Sequence, residues 1–247
     1  MILLDLLKHW LVLFAVAGRS MEETYRCLIE KLQSKADETS KPYWVAIGGG
    51  PGSGKTTLAN EICSRLNEIN PDSTVVIPMD GWHIPKEKLI EQFGTESMRR
   101  RGAPWTFDFN LMYKQLTAAK VKGEASLPIY SREISDPVPN KVNLQPFHRF
   151  VLVEGLYLLW KDDKNEEWSK LFDLWDERWF VQCPSQEEQI ERLVSRSMKT
   201  WTDEKAQVWG KGRDGALARI KSNDLKNADI IRHCHQFADE IIINIKQ

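Results

Sequence analysis

YWVAIGGGPGSGKTT, residues 43–57, decides how this chain is read. Tyr43-Trp44-Val45-Ala46-Ile47 is a short, unbroken apolar run, as expected of a strand buried on both faces of a parallel sheet. Gly48 to Gly54 breaks the run, and Lys55 to Asn67 resumes with Leu58, Ile62 and Leu66 on one helical face. Between strand and helix, residues 49–56 fit G-x-x-x-x-G-K-[ST] in full. Backbone N–H groups of such a loop curl around phosphate oxygens where a Cβ would obstruct them. The helix that follows aims its positive end at the same phosphates. The spacing assigns Gly49, Gly50, Pro51, Gly52, Ser53, Gly54, Lys55, Thr56 and Thr57 to nucleotide binding. Lys55 would bridge the β- and γ-phosphates, and the Thr56 hydroxyl would ligate Mg²⁺.

Working outward, Thr74 to Met79 predicts a second strand, ending at Asp80, and Phe150 to Val153 a third, ending at Glu154. Trp179 to Cys183 and Ile241 to Ile245 predict two more. Lys86 to Arg100 and Phe109 to Lys120 read as helices, and Ser185 with Glu188 as a capping box opening a helix through Met198. Leu127 to Leu144 carries Pro128, Pro137 and Pro139, so it is expected to be extended or looped. Strands alternating with helices predict an α/β three-layer sandwich with a mostly parallel sheet and a ligand at the strands' carboxyl ends. Lys199 to Arg213 is polar and contains glycine, as a mobile helical lid would, within about residues 196–215.

An acid directly after a buried strand stands beside the phosphate loop. Transfer to a hydroxyl needs one carboxylate to orient the nucleophile and take its proton, and another for the metal shell. Asp80 is the candidate base, because Gly81-Trp82-His83 would turn the chain across an acceptor pocket. Glu154 is the candidate for metal or acceptor contact. The bland alternative makes each a surface or capping acid. Arg192 and Arg196, four apart, share a helix face and suit transition-state charge, or else form a plain surface pair. Arg196 is taken as catalytic with Asp80 and Lys55. Arg101, Tyr130 and Arg132 are candidate acceptor contacts, as is His83, for which a structural role is equally open. Arg99 reads as a solvated charge, and His233-x-His235 as a surface feature.

The 247 residues suit one such domain, here residues 43–247, after an N-terminal extension, a helix from Met21 and a polar linker at 34–42. A formal net charge of -1 argues against a nucleic-acid surface. The four cysteines, with no C-x-x-C pair, give neither a zinc pattern nor a disulfide framework, so a reducing, cytoplasmic setting is expected. Leu11 to Ala17 resembles a short signal core, but its basic flank is weak and it is too short to span a bilayer. Residues 1–20 are therefore read as an extension, with Met21 an alternative start. No membrane partner is expected, and a homodimer is allowed.

These residues resemble the uridine kinase, phosphoribulokinase and bacterial pantothenate kinase superfamily. Within it the likeness is to the nucleoside/nucleotide kinase-like group of fungal ATP-dependent kinases and bacterial kinases found with sugar importers. The likeness runs from Tyr43 to Ile245 on Gly49 to Thr57, Met79 to His83, Arg101 to Asp108, Pro128 to Arg132 with Asp136-Pro137, Glu154 to Tyr157, and Asn223-Asp224 with Asn227-Ala228. It implies a kinase using ATP and Mg²⁺ on a small-molecule hydroxyl, with Asp80 as base, Glu154 on metal or acceptor, and a lid arginine closing on the phosphates. By analogy Asn223, Asp224 and Asn227 lie near the nucleotide. Lys211 to Gly215 departs from the pattern as an extra loop, and Gly81-Trp82-His83 replaces the Ser-Phe-Tyr-type stretch of uridine kinases. The acceptor is therefore a nucleoside, a sugar or a pantothenate-like alcohol. Uridine/cytidine kinase is one alternative, and a nucleotide-dependent switch without acceptor chemistry is another.

Overall fold

The structure, a computed structural model, describes residues 20–161 and 166–245. The signal-like run expected at residues 11–17 lies outside them. Five strands form one parallel sheet in the order β2-β5-β1-β6-β7. They are β1 (Tyr43–Gly49), β2 (Thr74–Pro78), β5 (Phe150–Gly155), β6 (Glu177–Gln182) and β7 (Glu240–Ile243). Each matches an expected apolar run to within a residue or two at its ends. A separate antiparallel hairpin pairs β3 (Ala125–Ser131) with β4 (Asp136–Leu144). The sequence predicted only extended chain here, because three prolines remove ladder donors. The hairpin accommodates them with a register shift between Leu127 and Ile129, at Pro128.

The helices are α1 (Met21–Asp37), α2 (Lys55–Ile69), α3 (Lys86–Phe93), α4 (Phe109–Lys122), α5 (Glu166–Ser169), α6 (Gln186–Met198), α7 (Asp203–Trp209), α8 (Gly212–Ser222) and α9 (Asp224–Ile231). Three expectations are corrected. The helix foreseen over Lys86–Arg100 stops at Phe93, because Gly94 takes φ 77°, ψ 170°, and the chain continues as a 3-10 turn over Thr95–Arg100. The extra loop foreseen at Lys211–Gly215 is mostly the first turn of α8. At the start of α6 the Ser185 hydroxyl accepts from Glu188 N–H, but the Glu188 carboxylate is taken by Arg192 at 2.5 Å.

Successive residues of β1 face opposite layers. Trp44 and Ala46 join a core with Met79, Trp82, Met112 and Leu116, while Val45 and Ile47 join Leu58, Ile62, Leu66 and Trp179. Leu58, Ile62 and Leu66 are buried, each stabilising the α2 contact by about 2 kcal/mol. Helix α1 belongs to the same layer. Ser20 and Glu23 cap it reciprocally, and Leu28, Ile29 and Leu32 are buried in that core. The helix extends through Asp37, into the stretch expected as linker.

One charged link fastens α1 to the sheet. Lys31 Nζ lies 2.6 Å from Glu177 and 2.5 Å from Glu240. The buried Glu177 carboxylate also accepts from Trp179 Nε1 at 2.6 Å and from the Tyr43 hydroxyl at 3.1 Å. Removing Lys31 leaves a buried carboxylate with neutral donors only. We expect Lys31→Met to cost about 2–3 kcal/mol, below the full buried-pair value because Lys31 is partly exposed. Adding Glu177→Gln should recover part of the loss. Urea unfolding midpoints of the single and double variants check both statements.

Candidate active site

Strand order brings the chemistry together. β5 lies between β1 and β2, with Ile47 opposite Glu154 on one side and Pro78 opposite Glu154 on the other. The phosphate loop, Glu154 and the turn bearing Asp80 therefore leave the sheet side by side. Gly81 lets that turn approach the hairpin, since a Cβ there would strike the Pro128 carbonyl. Asp80 itself is exposed.

Glu154 is 5% exposed. Burial pushes its carboxyl above the ordinary carboxylate range, with the neighbouring Asp80 adding to the effect. Lys55, a hydrogen bond from Thr56 and Arg132 pull it back. Lys55, Thr56, Asp80, Arg132 and Glu154 thus form one electrostatic cluster. Arg196 joins it from an exposed position, with Asp224, Arg132 and Asp80 among its charged neighbours. All six are residues that the sequence singled out, Arg132 there as an acceptor contact.

A cleft of about 570 Å³ holds Lys55, Thr56, Thr57, Arg132, Arg192 and Arg196. Arg132 therefore lies on the phosphate side of the site. Arg192 is committed to bracing, donating to Glu188 and to the Asn244 carbonyl at 2.6 Å. Arg196 is looser, 3.6 Å from Asp224, which also lies 3.6 Å from Arg219.

The loop's supports were not foreseen. Asn244 Nδ2 donates to the Ser53 carbonyl at 2.8 Å, and Gln189 Nε2 to the Pro51 carbonyl at 2.8 Å. Gly54 takes φ 93°, and a Cβ there would collide with Asn244. Only the position of Asn244, just beyond a strand beside the loop, could have marked it. Ser53 Oγ is buried with no partner. Gly49 and Gly50 complete the turn, Gly50 facing Gln189 and Ala228.

On the acceptor side His83 is buried, its ring 4.0 Å from Phe107 and 5.0 Å from Tyr130. His83 Nδ1 lies 2.8 Å from the Asp80 carbonyl, which assigns the proton to Nδ1 and leaves Nε2 as an acceptor. Arg101 stacks over Tyr130 at 5.5 Å and is held by Asp136 at 2.7 Å. Its buried Nε has no partner. Asn223 and Asn227, expected near the nucleotide, are tied to this wall, and the next residue, Ala228, faces Gly50 of the phosphate loop. Asn223 Nδ2 donates to the Arg101 carbonyl at 2.9 Å, while Arg100 reaches the Ser222 carbonyl at 2.9 Å and Asn227 Oδ1 at 3.2 Å. Arg99 is exposed beside Glu96, as expected.

The residues fit ATP and Mg²⁺. Phosphate-facing backbone, Lys55 and two further arginines meet one end of a cleft. A buried carboxylate beside the loop threonine and a second carboxylate would be relieved by a divalent cation. Among the described residues no three His, Cys, Asp or Glu side chains converge as a metal cage. Mg²⁺ held mainly by phosphates and one or two protein oxygens needs none.

Comparison with known proteins agrees. The profile of the phosphoribulokinase / uridine kinase family matches residues 44–200. An ATP-dependent kinase-like protein of Aspergillus versicolor is 36% identical over 163 residues, 62% of this chain and 86% of that protein. A provisionally named uridine kinase of Schizosaccharomyces pombe is 33% identical over 159 residues, 63% of this chain and 66% of the relative. A solved structure, provisionally named a fructose transport system kinase of Silicibacter sp. TM1040, superposes with a TM-score of 0.73 at 29% identity, covering 91% of this chain and 99% of that one. With its phosphate loop and paired strand-end carboxylates so arranged, the chain belongs to the phosphoribulokinase/uridine kinase family of small-molecule kinases.

Proposed function

We propose that the protein transfers the γ-phosphoryl group of ATP to a hydroxyl of a small polar metabolite, with Asp80 as the base. The convergence of Asp80, Glu154 and the phosphate loop on three adjacent strand ends carries this reading. Asp80 orients the acceptor hydroxyl and takes its proton as the O–P bond forms. Lys55 and the loop N–H groups hold the phosphates, and Arg132 and Arg196 face the charge that shifts toward the leaving oxygen. Thr56 and Glu154 would hold Mg²⁺, which supplies charge neutralisation across the phosphates. Arg101, Tyr130 and His83 form the acceptor wall. The free thiols suit a reducing compartment such as the cytoplasm, and no helix among the described residues is long and apolar enough to cross a membrane.

A sugar or polyol is the first acceptor to test, because the Silicibacter structure carries a fructose transport name. ATP consumption with Mg²⁺ should be followed against sugars, nucleosides and hydroxy acids. One strong acceptor names the substrate. Uridine or cytidine as that acceptor would move this chain to the nucleoside kinases, and silence across the panel with ATP bound would favour a nucleotide switch. Once the acceptor is known, Asp80→Asn should lower kcat roughly a thousandfold while ATP affinity changes little. Full activity in that variant would remove Asp80 as base. Arg196→Ala should lower kcat about a hundredfold with a smaller change in ATP affinity, a split that single-turnover kinetics and nucleotide titration resolve.

His83 gives a pH test. Burial, first, and Arg101 push the ring below its ordinary 6.5, against opposing pulls from Asp80 and Asp136, while Tyr130 also faces it. The unfolded chain takes up the proton first as pH falls, so stability tied to the neutral ring is present above 6.5 and lost below it. Wild-type urea midpoints should fall more steeply between about pH 7 and about pH 5 than those of His83→Gln. At about pH 7.5 the same variant should raise the acceptor KM, because Nε2 is then lost as an acceptor.

A further inference from the structure

The sheet order fixes which way a nucleotide runs from the phosphate loop. Asp80 and Glu154 stand on the β2 and β5 side of β1, so the terminal phosphate faces that side. The rest of the nucleotide then extends toward β6 and β7. Helix α1 covers that end of the sheet, where Lys31 ties it to Glu177 of β6 and Glu240 of β7. Its first turns reach the phosphate cleft: Met21 and Tyr25 line it together with Lys55, Thr56, Thr57 and Ile245. The helix precedes residues 44–200, the part of the chain shared with the kinase family.

We infer that Tyr25 is the platform on which the base of the phosphoryl donor stacks, a role that rests on the kinase reading of the cleft. The ring is half-buried and backed by a cation: the Arg65 guanidinium lies 4.8 Å from its centroid, yet Arg65 is not in the cleft wall. Arg65 in turn donates to Glu22 at 2.6 and 2.7 Å and to Glu61 at 2.7 Å, so the backing is pinned from two helices. A ring fixed in this way offers a flat surface with little side-chain entropy left to lose on binding. The other side chains at this end are apolar or committed. Met21 is buried and Ile245 exposed, while Asn244 holds the Ser53 carbonyl and Arg192 holds Glu188 and the Asn244 carbonyl. Such walls accept an apolar, planar group, and every base offers one whatever the pattern of its edge.

Inorganic tripolyphosphate separates this role from a structural one, because it can occupy the phosphate loop but carries no base. In titrations of the full chain, Tyr25→Leu should weaken Mg²⁺-ATP binding about tenfold while tripolyphosphate affinity stays within about twofold. Tyr25→Phe, which keeps the ring, should bind both as the wild type does. Equal loss of both ligands in Tyr25→Leu would make the residue a support of the loop, and unchanged ATP affinity would place the base elsewhere; either result overturns the platform. The wild-type chain gives a second measurement that no folding defect of a variant can blur. Irradiated with bound 8-azido-ATP, it should carry the label within residues 20–26, and label confined to other segments would overturn the assignment. Failure of the wild-type chain to bind Mg²⁺-ATP at all would instead overturn the kinase reading, and this role with it.

Discussion

A carboxylate buried at the end of a central strand is the constraint on which the site depends. Glu154 cannot be ionised cheaply in isolation, and Asp80 on the next strand end makes ionisation harder. Lys55, Thr56 and Arg132 offset this in part. The sheet order enforces the crowding, since β5 is inserted between the strand that feeds the phosphate loop and the strand that leads to Asp80. Packing on both sheet faces holds that order. A cation held with the nucleotide would complete the charge balance around Glu154 and Asp80.

The arginines divide by what holds them. Arg192 is tied by a carboxylate and a backbone carbonyl and so belongs to the scaffold of the loop. Arg100 is tied by Ser222 and Asn227. Arg196, with a distant partner at the start of α9, keeps freedom to swing. The tethers through Ser222, Asn223 and Asn227 have a mechanical consequence. They fix the loop at Arg100 and Arg101 to the junction of α8 and α9. Tyr157 adds to it, its hydroxyl donating to the Gly102 carbonyl at 2.8 Å.

What the sequence made legible follows from periodicity and position. Apolar runs marked every strand of the main sheet, and acids after two of those runs marked Asp80 and Glu154. The hairpin was obscured because prolines hide a strand pattern, although a bulge can absorb one of them. Gly94 ended a helix that a count of helix formers extended. The supports at Asn244, Gln189 and Asn223 were invisible for a different reason. Their amides act on carbonyls far away in the chain, and no local pattern announces a partner brought close only by folding.

The acceptor wall explains why membership of the family leaves the substrate open. Its polar contacts come from three elements held by one half-buried carboxylate. Asp136 of the hairpin accepts from Arg101 at 2.7 Å and from Lys86 N–H at 3.0 Å, fixing the loop before α4 and the start of α3 against β4. Tyr130 faces the same guanidinium from β3. The hairpin lies outside the main sheet but packs against the turn bearing Asp80 through Gly81 and Pro128, so a change in it reaches both the wall and that turn. One phosphate-binding frame can therefore serve different hydroxyls as the residues of this wall vary.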